Sequence, residues 1–267
     1  MLNSVADKDE EYIHLLLEPI AKCKNYQPRF GGGGGLTLSE FQKLYQADPF
    51  YSWFGLDSPL MYSAHKAAGG ITSVYRQIGI GCQKLWQRIL MDSLGLTAEQ
   101  SAWSYQIQTT TGKPRTLSLD ARITIADVQP LEKRQILIQW LQAACYATGV
   151  SEEISRVVKG VVFEVRQGYK SKDAKRQNAD LSNAVAAYSA AYLPVLLLLS
   201  NQIDSDVANR YRNARLLILH GTIGGATTES TYEFCRQIIG YDLADFFQRH
   251  SFRFKSEVES VLQILLQ

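Results

Sequence analysis

The spacing of hydrophobic positions changes period several times along this chain, and each change marks a predicted element. Over residues 8–23, "KDEEYIHLLLEPIAKC", apolar side chains gather on one face of a helical repeat. "TLSEFQKLYQ" continues that period behind Thr37 or Ser39, either of which suits a helix N-cap. Between Ile71 and Leu96 the positions Ile78, Cys82, Leu85 and Ile89 again recur at helical spacing, and Gly95 marks the stop. The period then drops to two. "AWSYQIQT" and "RTLSLDARITIADV" read as strands joined by a turn at "TTGKP". In the second strand Leu117, Leu119, Ala121 and Ile123 face one way, and Ser118, Asp120 and Arg122 the other.

Beyond Pro130 helices and strands alternate. "PLEKRQILIQWLQAACYATG" predicts a helix, with Pro130 near its first turn and Gly149 near its end. "KGVVFEVRQGY" predicts a strand and "NADLSNAVAAYSAAY" a helix. "LPVLLLLS" and "RLLILHG" are continuous apolar runs of strand length, separated by the helical "SDVANRYRNA". From Ser230 onward the pattern is mostly helical. This alternation predicts an α/β fold with a mixed sheet covered on both faces. Residues 1–70 read as a helical, loop-rich N-terminal elaboration, and 71–267 as an α/β core with a helical C-terminus. Within the elaboration, "GGGGG" at 31–35 reads as a turn or hinge. The aromatics of the segment from Ala47 to Gly70 read as core or interdomain packing, with a DNA-contacting arm as the alternative.

Composition narrows the class without choosing a partner. The 267 residues carry a formal net charge of +2, so any cationic surface is local. Cys23, Cys82, Cys145 and Cys235 are scattered, with no CxxC pair and no histidine at metal-site spacing, which argues against structural zinc. The N-terminus is acidic and polar, unlike a secretory signal. The longest apolar run, "YLPVLLLL", is too short to span a bilayer. The expectation is a cytoplasmic protein with no membrane partner.

One stretch carries the candidate chemistry. In "VVFEVRQGYKSKDAKRQNAD" an isolated Glu164 sits on an apolar strand, with Arg166 two residues on and projecting from the same face. Lys170, Lys172, Lys175 and Arg176 follow, mixed with Gln177 and Asn178, an inventory suited to phosphates and base edges. Asp120 lies on a separate predicted strand. If the two strands are neighbours, the two acids converge, and Mg²⁺ would serve such a carboxylate pair together with substrate phosphate oxygens and water.

These residues resemble the PD-(D/E)xK nuclease superfamily, specifically a type II restriction endonuclease. The resemblance covers roughly residues 71 to 200: the helix around Gly79–Leu90, "LSLDARI", "VVFEVRQGYKSKDAKRQNAD" and "LPVLLLLS". It implies a restriction-endonuclease-like mixed central sheet flanked by helices, and Mg²⁺-dependent, sequence-specific cleavage of double-stranded DNA by a homodimer. By position Asp120 and Glu164 would be metal ligands and catalytic, with Asp127 the competitor of Asp120. Arg166 stands where the family has Lys. Arg stays protonated, so it would stabilise phosphate charge but serve poorly as a base, and Lys170 is the alternative for that place. Gln83 stands where the first helix of such nucleases often offers an acid. Lys172, Lys175, Arg176, Gln177 and Asn178 are the expected DNA contacts. Two other classes stay open: a non-catalytic nucleic-acid-binding protein using the basic loop 166–178, and a nucleotide-binding α/β enzyme using the Gly-rich loop 221–228.

Overall fold

The computed structural model describes residues 2–30, 34–108, 113–169 and 173–266. In chain order the helices are α1 Leu2–Ala21, α2 Leu38–Gln46, α3 Pro49–Trp53, α4 Pro59–Leu94, α5 Ala98–Ser101, α6 Leu131–Ala147, α7 Glu152–Ser155, α8 Ala174–Ser189, α9 Ser205–Asn213, α10 Thr231–Glu233, α11 Leu243–Arg249 and α12 Ser251–Leu265. A π-helical turn, Phe234–Ile239, follows α10. The strands are β1 Trp103–Gln108, β2 Pro114–Leu119, β3 Ala121–Thr124, β4 Gly160–Arg166, β5 Leu193–Leu198 and β6 Leu217–Leu219. The α/β class expected from the hydrophobic pattern is present. No described helix is long and apolar enough to cross a membrane.

The chain forms two compact units, Met1–Gly81 with Arg249–Gln267, and Cys82–Gln248. The division falls within α4, so the expected boundary near residue 70 lies inside a helix. The final helix belongs with the N-terminal unit.

In the first unit α1, α4 and α12 share a core of Ile20, Val74, Val261 and Leu265. Gly70 sits where a Cβ would crowd the Leu265 side chain, so the glycine serves helix–helix approach rather than breaking α4. Thr37 caps α2 through a capping box with Glu40, as its sequence implies. The aromatic-rich segment packs in part: Tyr62 and His65 lie against Phe41, ring centroids 5.6 and 6.2 Å away, whereas Trp53 is 81% exposed and Phe54 68%.

The second unit holds the sheet. Strands run in the order β3-β4-β5-β6, with β3 antiparallel to β4 and the other pairs parallel. β1 and β2 form a separate antiparallel hairpin. The single long strand expected across residues 115–128 therefore divides at Asp120 and serves two sheets. Every residue of β5 is buried, as its unbroken apolar run requires. One sheet face packs Phe163 against Trp86 and Phe234, with ring centroids 5.3 and 6.0 Å away. The other carries Val162, Leu196 and Leu198 under α8 and α9, against Ala187, Val207 and Tyr211. Burying one such large apolar side chain contributes about 1.5–3 kcal/mol, so these two layers dominate the stability of this unit. All four cysteines are buried and unpaired.

The β3–β4 register matters most for the site. Ala121 pairs with Phe163 and Thr124 with Gly160. A Cβ at Gly160 would overlap the carbonyl oxygen of Ile123. Only glycine lets the two backbones meet here, and this contact fixes which residues face each other further along the ladder.

Candidate functional site

Asp120 sits in the bend between β2 and β3, one residue beyond the last β3–β4 pair, and this places it opposite Glu164. Its backbone N–H donates to the Phe163 carbonyl at 2.9 Å. Its carboxylate Oδ2 accepts from the Val165 N–H at 2.7 Å. The acid thus completes the ladder where β3 has ended and anchors itself beside the strand that carries Glu164. Gln83 of α4 also hydrogen-bonds the Asp120 carboxylate. The competitor, Asp127, lies in a 3-10 turn past the far end of β3, beyond the Thr124–Gly160 pair. Of the two acids, Asp120 is the one beside Glu164.

Arg166 is two residues along β4 from Glu164 and on the same face. Its Nη2 ion-pairs with Glu164 Oε1 and lies 3.2 Å from Asp180 Oδ1 of α8. Its Nε is buried and has no hydrogen-bond partner among the described residues. Asp180 is itself enclosed. Its Oδ2 receives the Tyr169 hydroxyl at 2.9 Å and the Tyr211 hydroxyl at 2.8 Å, and those hydroxyls are 2.8 Å apart. Asp180 and Tyr211 meet there because α8 and α9 cover the same sheet face, and the segment after β4 brings Tyr169 alongside.

The electrostatics follow from this enclosure. Burial pushes the Glu164 carboxyl up to about 8; the Arg166 charge opposes that rise, and Asp120 and Asp180 reinforce it. Burial also raises Asp120, against the pull of the Val165 N–H, Arg166 and Gln83. Three acids share one face with one buried guanidinium among the described residues, so ionising all of them would leave the cluster with excess negative charge. The exposed Arg176 is close enough to lower the Glu164 carboxyl as well.

The basic segment is placed differently from its sequence reading. Lys170 and Lys172 lie outside the described residues. Asp173 caps α8 by accepting from the Lys175 N–H at 2.9 Å, so Lys175, Arg176, Gln177 and Asn178 belong to a helical first turn and not to a loop. Lys175 and Arg176 are exposed. Gln177 is buried, and its Oε1 accepts from Arg210 Nη1 at 2.8 Å, while Asn178 Oδ1 accepts from Arg210 Nη2 at 2.6 Å. Both amide oxygens are thus used to tie α8 to α9, and Gln177 leaves the set of DNA contacts. Sequence reasoning missed Asp180, Tyr169, Tyr211 and Arg210. The signal available was the helical spacing of Gln177, Asp180, Ala184 and Ala187, which marks the buried face of α8.

The Gly-rich segment 221–228 follows β6 and turns through Gly224 and Gly225, both at positive φ. It leads into α10, which runs directly into the π-helical turn Phe234–Ile239.

The resemblance implies a divalent cation, and the donor set suits one: two hard carboxylates in a cluster with excess buried negative charge. Among the described residues no group of three or more His, Cys, Asp or Glu side chains has metal-holding geometry. Under the resemblance Asp120 and Glu164 would supply two ligands and leave the others to water and phosphate oxygens. No family model matches this chain, and no curated protein or solved structure resembles it significantly.

Proposed function

We propose that this protein is a Mg²⁺-dependent endonuclease that hydrolyses phosphodiester bonds of double-stranded DNA at specific sequences, in the manner of a type II restriction enzyme acting as a homodimer. The observation that carries this reading is the placement of Asp120 opposite Glu164, with the Arg166 guanidinium on the same face. Bound Mg²⁺ would supply Lewis-acid stabilisation of the phosphate and lower the pKa of a water ligand. Asp120 and Glu164 would hold it as ionised carboxylates. Arg166 shifts from Glu164 towards the scissile phosphate, where its buried Nε, without a partner among the described residues, finds an acceptor. Asp180 retains the guanidinium from behind. Arg166 stays protonated and acts as a charge donor, not a base. Lys170 is proposed as a second cation for the scissile phosphate. Lys172, Lys175 and Arg176 would contact the DNA backbone, and the NH₂ of Asn178 is available to a neighbouring phosphate.

The test is incubation of purified protein with a long DNA, with and without Mg²⁺. Discrete fragments that need Mg²⁺ support the reading. DNA left intact although bound would replace it with a non-catalytic nucleic-acid-binding role.

A further inference from the structure

The first unit contains a polar cavity that the nuclease reading does not use. It holds about 460 Å³ and is lined by Asn25, Gln27, Arg29, Thr72, Arg76 and Gln77, among others. No carboxylate lines it among the described residues. Neither guanidinium has an ion pair or hydrogen bond among the described residues, in contrast to Arg249 and Arg253 of the same unit, which pair with Asp9 and Glu10. One wall is a stripe of α4, in which Gly69, Thr72, Ser73, Arg76 and Gln77 recur at helical spacing. The facing wall is the extended segment after Asn25. A Cβ at Gly69 would overlap the Tyr26 hydroxyl, so this glycine lets the two walls approach; within the facing segment, a Cβ at Gly35 would overlap the Gln27 side chain. This also gives Gly35, the end of the "GGGGG" run, a structural reason.

We infer that this cavity binds the phosphate of a nucleoside phosphate. Two forked guanidiniums facing one space match phosphate oxygens in bidentate geometry. Three carboxamides and three hydroxyls add the donors and acceptors that read base edges and sugar hydroxyls. The volume falls within the range of small-molecule sites. The phosphate can come from a free nucleotide or from the end of a nucleic-acid strand, since the chemistry presented is the same. The inference does not depend on Asp120 or Glu164, and failure of DNA cleavage would leave it standing.

The experiment uses the full chain without Mg²⁺ and measures affinity calorimetrically for a nucleoside monophosphate, the matching nucleoside, and a single-stranded oligonucleotide with and without a 5′-phosphate. Arg29→Gln and Arg76→Gln are measured beside wild type, with Arg156→Gln as a charge-matched control and circular dichroism to confirm folding. Phosphate-dependent binding, weakened about tenfold or more by each cavity substitution and unchanged by Arg156→Gln, is expected. Binding of the monophosphate assigns the free nucleotide as source. Binding of the 5′-phosphorylated strand alone assigns the strand end. Absence of binding to every probe, equal affinity for the unphosphorylated forms, or wild-type affinity in both cavity variants would overturn the inference.

Discussion

Glu164→Gln should make this protein more stable while removing its proposed activity, and the gain should depend on pH. In the folded chain the Glu164 carboxyl is raised from 4.5 to about 8. A raised folded value means that folding binds a proton. The stability contributed by this group is therefore full below about pH 4.5 and is lost as pH rises through about 8. At pH 7 that loss is about 3 kcal/mol, from the interval between the unfolded value of 4.5 and pH 7. Glutamine keeps the shape and an acceptor for Arg166 but cannot ionise. The stability difference between variant and wild type should thus grow by about 3 kcal/mol between about pH 5 and pH 7.5. Urea unfolding followed by tryptophan fluorescence measures it, since Trp86 packs on Phe163 beside this strand position. Mg²⁺ should stabilise wild type, by favouring ionised Glu164, and leave the variant unmoved. A difference that stays flat with pH, or a variant less stable than wild type at pH 7.5, would refute the reasoning. Either would show that the ion pair with Arg166 outweighs the cost of burying the charge.

Three further outcomes follow from the same geometry. Gly160→Ala should cost about 3 kcal/mol or more and abolish cleavage, because the added methyl overlaps the Ile123 carbonyl at the β3–β4 pairing; thermal unfolding reads it. Asp180→Asn should destabilise by about 3 kcal/mol in urea unfolding, because Arg166 then has less compensating charge and two tyrosine hydroxyls lose a carboxylate acceptor. Lys175→Ala and Arg176→Ala should weaken DNA binding and each reduce the slope of log affinity against log salt by about 1, with little effect on stability.

Much of the fold was legible because the sheet's two environments differ in composition. β5 and β6 are continuous apolar runs, and the alternation of Leu119, Ala121 and Ile123 continues through Asp120. That same continuity concealed the break. Leu119 and Ala121 are both buried, so nothing in the pattern marks the change from the β1–β2 hairpin to the four-stranded sheet. Glu164 and Arg166 were visible as charges on an apolar strand. Asp180 was not, because an acid on a polar helix reads as solvent-facing until α9 and Tyr211 are placed over it. Gln177 misled for the converse reason. Among lysines and arginines it suggests a binding loop, whereas the Asp173 cap turns the chain into α8 and points it inward towards Arg210. Local propensity reached the elements; long-range pairing decided which polar side chains were enclosed.

The central claim is that Asp120 and Glu164 act together in cutting DNA. It is tested most directly by comparing Mg²⁺-dependent cleavage by wild type, Asp120→Asn and Glu164→Gln, with DNA affinity measured in parallel. The expected result is site-specific cutting by wild type and loss of cutting in both variants, with affinity retained. Cutting by either variant at the wild-type rate would contradict the claim.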